Sequence, residues 1–277
     1  METYKKTTKE SYNILKEVPL YIRRNYAKTI LSFTKQNQSI LDAGFGSGSI
    51  LIPLVEKNKF AKIYGIDYSK PLFNSVSKEI RNKAKLHFGN ILNLRETYDV
   101  VHFKAILHCF DNPEKALDKL ASLVKLNGLI ITAHEKSQIE DRIEQISFNK
   151  IDDKELELMI GHYFVLRKNI GKPFILRKYP AGNCLNAIEY LKTKKNFRII
   201  KKIKNKKLSW NREFKLADLI YSIKNRTYKV FDDDITEKEN KFIVDNMLKF
   251  AKIHSIDLNK KRCIPANFEM YILKKMN

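Results

Sequence analysis

The stretch from Ile40 to Ser49 constrains the fold more than any other part of this sequence. Its first residues, I-L-D-A, are typical of a short buried strand, and glycines at positions 44, 46 and 48 follow directly. Glycine adopts backbone dihedrals that other residues avoid, and it lets a ligand approach the main chain with no Cβ in the way. The pattern therefore predicts a strand, a tight turn and then a helix.

A second short apolar strand begins at Ile63 and ends in a carboxylate, Asp67. An acid at this place can accept hydrogen bonds from ribose hydroxyls, which indicates an adenosine ligand. The dinucleotide fingerprint is G-x-G-x-x-G, whereas here the third glycine follows the second by two residues and Asp42 precedes the first. The spacing favours a ligand without a pyrophosphate on the turn, and a dinucleotide enzyme is the alternative.

The segment Asp-x-Gly-x-Gly-x-Gly that starts at Asp42 closely resembles motif I of the class I S-adenosylmethionine-dependent methyltransferases. Residues 89–92 are similar to the G-D-[AI] segment of that family, with Asn in place of the commoner Asp. Residues 98–104 resemble motif IV, and residues 125–131 resemble the L-K-P-G-G-x-L strand without its proline. The resemblance covers about residues 39–135 and implies S-adenosyl-L-methionine as the cofactor.

Strands and helices alternate from residue 39 to residue 135, which independently predicts a parallel α/β sheet. The predicted strands are 39–44, 62–67, 84–89, 98–104 and 128–134. The resemblance implies a Rossmann-like, doubly wound sheet of seven strands in which the last strand, 268–273, runs antiparallel to its neighbours. We expect an N-terminal helical cap over residues 1–38 and a methyltransferase domain over 39–277.

Helical insertions are expected around 136–196 and 211–267, where they would cover the ligand edge of the sheet. Within them we predict helices and one strand-like run, namely helices near 153–168, 182–194, 215–224 and 236–253 and the run 197–210. Earlier in the chain, Pro19 is expected to open one helix and Ser69 to cap another.

On the donor side, the resemblance implies that the backbone of Gly44, Gly46 and Gly48 lies near the methionine moiety. Asp42 would organise the loop or meet the ammonium of the donor through water, and Asp67 would hold the ribose.

The remaining donor-side candidates are Tyr68, Asn90, Ile91 and Lys104. Tyr68 would flank the adenine, and Asn90 with Ile91 would meet its edge, although packing alone could explain Tyr68 and Ile91. Lys104 can bind an acidic substrate or extend into solvent, and extension into solvent is the expectation.

On the acceptor side, residues 105–111 resemble the A-L-H-W-F-x-D stretch of small-molecule methyltransferases of the trans-aconitate and type-11 groups, with Cys109 where Trp is usual. His108 is the candidate catalytic residue, because it follows the fourth strand and could deprotonate a hydroxyl or an amine. The alternative role is a histidine that only fixes the loop. The implied reaction is O- or N-methylation of a small molecule by in-line displacement.

The net charge of +22 raises the possibility of a nucleic-acid partner. Lysine greatly outnumbers arginine and the charge is dispersed, so we expect a charge-biased surface, with a polyanion-binding patch near residues 201–207 as the alternative. An RNA methyltransferase is therefore the second hypothesis, although neither N-P-P-[YF] nor Pro-Cys follows the fourth strand. A non-catalytic donor-binding protein is the third.

Other features of the composition exclude some classes of protein. No apolar run reaches membrane-spanning length and no signal-peptide core is present, so a cytoplasmic protein is expected. Cys109, Cys184 and Cys263 are too dispersed for a disulfide framework or a zinc site. We interpret the carboxylates at 232–234 as part of a helix start with the capping box at Thr236, not as metal ligands. The oligomeric state is not predicted.

Overall fold

A computed structural model describes residues 18–137, 152–173, 185–226 and 235–277. It places the strands in a mixed sheet with helices on both faces. The strands are β1 Ser39–Ala43, β2 Lys62–Asp67, β3 Lys85–Phe88, β4 Tyr98–Phe103, β5 Val124–Ser137, β6 Phe197–Ile203, β7 Ser209–Phe214 and β8 Arg262–Lys275. The helices are α1 Leu20–Ser32, α2 Leu51–Lys57, α3 Lys70–Ser75, α4 Lys78–Lys83, α5 Pro113–Ser122, α6 Lys154–Asn169, α7 Leu185–Lys194, α8 Leu216–Lys224 and α9 Glu237–Ile253.

The strand order is β3-β2-β1-β4-β5-β8-β6, and β7 pairs with the remaining part of β8. Strands β1 to β5 are parallel to one another, while β8 runs antiparallel to β5, β6 and β7. The predicted Rossmann-like sheet and its antiparallel last strand are confirmed. Eight strands rather than seven are present in the described parts of the chain, because the predicted run 197–210 is broken.

The break falls at a 3₁₀ turn, Lys206–Leu208, that separates β6 from β7. The side chain of Asn205 accepts a hydrogen bond from the backbone N–H of Lys207 at 3.0 Å, which caps this turn. An Asn or Asp side chain that bonds to the backbone two residues further on is a common way to end a strand. Both pieces keep their pairing with β8, so the edge of the sheet continues across the break.

Two apolar clusters cover the two faces of the sheet. On one face, α1 and α2 pack on residues of β1, β4, β5 and β8, and the central side chains Ile22, Tyr26 and Phe268 are fully buried. On the other face, α5 and α7 pack on the alternate residues of the same strands. The central strands β1 and β4 bury both of their faces, as expected within a mainly parallel sheet, whereas the outer strands β3, β6 and β7 are largely exposed on at least one face.

A third apolar cluster joins α6, α8 and α9 to Phe214 at the end of β7 and to Ile264 near the start of β8. Because β8 is antiparallel to β5 and its Ala266 pairs with Ser137, this cluster lies beyond the carboxyl end of β5. Parallel α/β sheets bind ligands at this edge. Among the described residues, no helix combines the length and apolar character needed to cross a membrane.

Candidate active site

The turn after β1 has the backbone conformation that the sequence predicts. Gly44, Gly46 and Gly48 have φ values of 69°, 59° and 81°, in the left-handed region that favours glycine. A Cβ on Gly44 would lie only 2.3 Å from Cγ2 of Ile106, so the loop after β4 passes directly over this glycine. The absence of side chains is therefore required both by the dihedrals and by the space.

Asp67, at the end of β2, holds the turn in place. Its Oδ2 accepts a hydrogen bond from the backbone N–H of Gly46 at 2.7 Å, and its Oδ1 accepts one from the N–H of Ser69 at 2.8 Å. Burial raises the pKa of the Asp67 carboxyl, the two backbone N–H groups lower it, and the nearby Asp42 carboxylate raises it. Each carboxylate oxygen can accept a further hydrogen bond, so these contacts leave capacity for a ribose hydroxyl.

Asp42, at the end of β1, is part of a buried hydrogen-bonded chain that the sequence did not reveal. Its Oδ1 lies 2.8 Å from Nδ1 of His102 on β4, and Nε2 of His102 lies 3.0 Å from the hydroxyl of Tyr26 on α1. The other oxygen, Oδ2, is buried and has no hydrogen-bond partner in the described parts of the chain. A signal was present, since an isolated histidine in an apolar strand needs a polar partner.

The adenine-side candidates lie at the ends of β2 and β3, which are adjacent in the sheet. Tyr68 is about half exposed, with a relative accessibility of 49%. The side-chain oxygen of Asn90 accepts a hydrogen bond from the N–H of Leu92 at 2.9 Å and caps the 3₁₀ turn Ile91–Asn93. Ile91 is buried against the cluster on the α5 side of the sheet. The predicted contacts of these residues with the donor remain predictions.

Lys104 follows β4 directly, and its environment differs from the expectation that it extends into solvent. Its Nζ lies 3.2 Å from Oε2 of the buried Glu135 and 4.7 Å from the ring centre of Phe268. Its side chain is only 19% exposed. The second oxygen of Glu135 contacts the guanidinium of Arg212 on β7, so a buried carboxylate draws both cations inward. The sequence did not point to Glu135 or Arg212.

His108 lies in the 3₁₀ turn Leu107–Cys109, two residues after Ile106. The chain reaches this turn through Ala105, whose φ of 53° turns the backbone sharply after β4. Because Ile106 lies against Gly44, the whole loop is held beside the glycine turn. The fold thus brings the candidate acceptor residue and the candidate donor residues to the same edge of the sheet.

The carboxylates at 232–234 lie outside the described residues. The capping box at Thr236 is confirmed, because its Oγ1 accepts a hydrogen bond from the N–H of Glu239 and the Glu239 carboxylate accepts one from the N–H of Thr236.

The sequence of this chain is similar to those of known methyltransferases. Over 102 residues the chain is 28% identical to a malonyl-[acyl-carrier protein] O-methyltransferase of Halalkalibacterium halodurans, and the match covers 34% of this chain and 38% of that protein. Over 153 residues it is 28% identical to the Aspergillus luteorubrus protein named "Probable methyltransferase ltbC", and this match covers 50% of this chain and 51% of that protein. The chain thus spans about half or less of the length of these curated relatives.

A solved structure from Bacillus halodurans, described as a candidate methyltransferase, has the same fold with a TM-score of 0.52 and 11% sequence identity. The alignment covers 92% of this chain and 99% of that one. A family model described as "Methyltransferase domain" matches residues 34–215, which is more than half of the chain. The chain therefore belongs to the methyltransferase domain family, within the class I S-adenosylmethionine-dependent methyltransferases that its motif I resembles.

Proposed function

We propose that this protein transfers a methyl group from S-adenosylmethionine to an oxygen or a nitrogen of a small molecule. One observation carries the proposal: three left-handed glycines after β1 form a turn whose middle N–H is held by the carboxylate of Asp67. That turn lacks side chains at the edge where parallel sheets bind ligands, in a chain of a methyltransferase family.

The residues at this edge fit the parts of the donor. The remaining acceptor positions of Asp67 suit the ribose hydroxyls, and the glycine turn, which has no side chains of its own, suits close approach of the methionine portion. The Oδ2 atom of Asp42, which no described residue contacts by a hydrogen bond, suits an ammonium group. The adenine would lie between an aromatic and an aliphatic surface, with a polar side chain at its edge; these are Tyr68, Ile91 and Asn90.

S-adenosylmethionine supplies an electrophilic methyl group on a sulfonium sulfur that is a good leaving group. The protein therefore contributes mainly by aligning donor and acceptor and by excluding water. A general base is needed only where the acceptor arrives protonated, and His108, beside the glycine turn, is our candidate for this role. A hydroxyl acceptor would transfer its proton to the imidazole as the new bond to carbon forms, whereas an ammonium acceptor would transfer its proton first, because its nitrogen has no lone pair until then.

Two features support a small acceptor. The helices α6, α8 and α9 pack beyond the carboxyl end of β5, where we expect them to border the acceptor and limit its size. One relative, by its name, is an O-methyltransferase for malonyl-[acyl-carrier protein], which supports an oxygen acceptor on a small acyl group.

The direct test is transfer of labelled methyl from S-adenosylmethionine to a fractionated metabolite extract, with mass spectrometry of the product. We expect one or a few labelled small molecules, and no label when S-adenosylhomocysteine replaces the donor. Binding of the donor without transfer to any fraction would contradict the proposal and favour a non-catalytic donor-binding protein.

RNA methylation is the second candidate, and the observation that favours it is the exposed basic run at the edge of the sheet. Lys201, Lys204, Lys206 and Lys207 are exposed on β6 and the following turn. Lysines on an edge strand also prevent pairing with other sheets, which explains the run without a ligand. A linear fall of log affinity for RNA with log salt concentration would favour the RNA hypothesis, and a flat, weak response would contradict it.

A further inference from the structure

The hydrogen-bonded chain from α1 to β1 consists of groups that are almost fully buried. Tyr26, His102 and Asp42 have relative accessibilities of 0%, 1% and 3%. His102 pairs with Asp42 across β4 and β1, so both side chains leave the sheet on the same face at the same level. Tyr26 reaches them from the middle of α1, a helix whose apolar face packs on that side of the sheet.

The direction of the hydrogen bonds follows from the chemistry of the groups. A carboxylate only accepts hydrogen bonds, so Nδ1 of His102 carries a proton and its N–H donates a hydrogen bond to Oδ1 of Asp42. In the neutral ring Nε2 is then an acceptor, and the Tyr26 hydroxyl donates to it. The carboxylate therefore sets the tautomer, the tyrosine hydroxyl holds the orientation of the imidazole, and the imidazole holds one oxygen of the carboxylate.

The second carboxylate oxygen of Asp42, Oδ2, is placed to bind a ligand. It is buried and has no hydrogen-bond partner in the parts of the chain that the structure describes. Burying an ionised carboxylate oxygen without a partner is costly, and such an atom in a folded protein calls for a ligand. Asp42 is two residues before Gly44, and its charge is close enough to raise the pKa of Asp67.

We propose that Tyr26 and His102 are positioning residues that hold the second oxygen of Asp42 for the ammonium group of the donor's amino-acid portion. This inference depends on the proposed function, because it needs an adenosyl donor at the glycine turn. It assigns to α1, which lies before the motif-containing strands, a share in donor recognition. A purely structural chain that attaches α1 to the sheet is the competing explanation.

The test compares two ligands that differ only at the amino-acid end. S-adenosylhomocysteine carries the ammonium group, whereas 5′-methylthioadenosine has the same nucleoside and thioether without it. Calorimetric titration of the unaltered protein with both ligands comes first. If neither ligand binds, the proposed function and this inference both fail, and no variant is needed to show it.

The first variant is Tyr26→Phe, which removes one oxygen and keeps the ring that packs edge-on against Phe268 at 5.1 Å. We expect its affinity for S-adenosylhomocysteine to fall about 2- to 10-fold, the range for one lost hydrogen bond, with methylthioadenosine affinity unchanged. The matched control is Tyr98→Phe, because Tyr98 is equally buried and hydrogen-bonded, but to Glu96 at the other end of β4. It should change neither affinity.

The second pair of variants tests the imidazole. His102→Leu should weaken S-adenosylhomocysteine binding by about 10-fold or more, because the lost hydrogen bond has a charged partner. His102→Asn keeps a side-chain N–H near the position of Nδ1 and should recover part of the loss.

A structural role would weaken both ligands equally, since the nucleoside pocket would be distorted as a whole. Equal losses for the two ligands, or no loss for either in Tyr26→Phe, would overturn the inference. Because His102→Leu risks unfolding, the fold of each variant is checked by thermal melting. The two affinities of Tyr26→Phe distinguish the positioning role from the structural one even if His102→Leu does not fold.

Discussion

Replacing Gly44 by alanine is the perturbation for which the structure gives the clearest magnitude. The φ of 69° places the residue in the left-handed region, which costs about 1–2 kcal/mol for a residue with a Cβ. The new Cβ would also lie 2.3 Å from Cγ2 of Ile106. That methyl belongs to a buried β-branched side chain with a stiff χ1, so it cannot swing away. Overpacking of this kind costs about 1–3 kcal/mol, and the sum is about 2–5 kcal/mol.

Two other glycines separate these contributions. Gly171, just after α6, has a φ of 72° with open space around its Cβ position, so Gly171→Ala measures the backbone cost alone, about 1–2 kcal/mol. Gly161 lies inside α6 with no atom near its Cβ position, so Gly161→Ala should stabilise the protein by up to about 1 kcal/mol. Urea unfolding of the three variants gives the free energies of unfolding directly.

A double-mutant cycle with Ile106→Ala then isolates the contact, because that change removes the clashing methyl and leaves only its Cβ, 3.3 Å away. We expect the cost of Gly44→Ala to fall to the value seen at Gly171. The reasoning is refuted if Gly44→Ala costs no more than Gly171→Ala, or if its cost is the same in both backgrounds.

Four further predictions concern three side chains. Asp67→Asn should weaken donor binding about tenfold or more, since hydrogen bonds to a charged group contribute about 1.5–3 kcal/mol, and calorimetry that shows no change would contradict the assignment. Burial raises the pKa of Asp67 above the ordinary aspartate value of 3.8. Donor affinity of the unaltered protein should therefore begin to fall with decreasing pH while the pH is still above 3.8. His108→Ala should lower kcat about a hundredfold or more with a donor Kd within about twofold of the unaltered protein, and equal turnover would place His108 among loop-fixing residues. A side-chain hydrogen bond from Lys172, together with the hydrogen bonds of the capping box, lowers the pKa of Glu239 to about 2. The unaltered protein should therefore be more stable than Glu239→Gln by a constant amount above pH 4.5, and this difference in the free energy of unfolding should disappear as the pH falls toward 2. Denaturant midpoints at stepped pH values check this, and an advantage that does not change with pH would refute it.

Features that depend on local backbone chemistry were predictable from the sequence. The turn after β1 has left-handed dihedrals at positions 44, 46 and 48, where the sequence has glycine. The capping box at Thr236 involves only residues close together in the sequence. Pro19 does open α1. The parallel direction of the first strands followed from their alternation with helices, and the antiparallel last strand followed from the resemblance.

Some local signals in the sequence fit more than one arrangement of helices. The helix expected to start at Ser69 is two short helices, because the backbone is extended at Val76 and Ser77 caps the second one. A serine three residues before Ile80 is a helix-start signal of the same kind as Ser69. Side-chain spacing alone could not show that both positions act as starts.

Contacts between distant residues could not be predicted from the sequence. The partner of Asp42 lies 60 residues away on β4, and the partner of that histidine lies 76 residues away on α1. Both depend on strand register and on how α1 packs, which no local pattern encodes. The inward position of Lys104 likewise depends on Glu135, a buried charged residue near the end of the largely apolar strand β5.

The position of β8 has a consequence for how the chain acquires its structure. β8 comes after all the other strands in chain order, yet it lies between β5 and the β6–β7 edge and pairs with all three. During synthesis, the backbone groups on one side of β5 therefore stay unpaired until more than a hundred further residues have emerged from the ribosome. An unpaired, apolar edge strand can pair with a strand of another chain. Contacts between residues this far apart in sequence also form slowly. Chaperone dependence and aggregation of C-terminally shortened chains are the expected signs of this late closure.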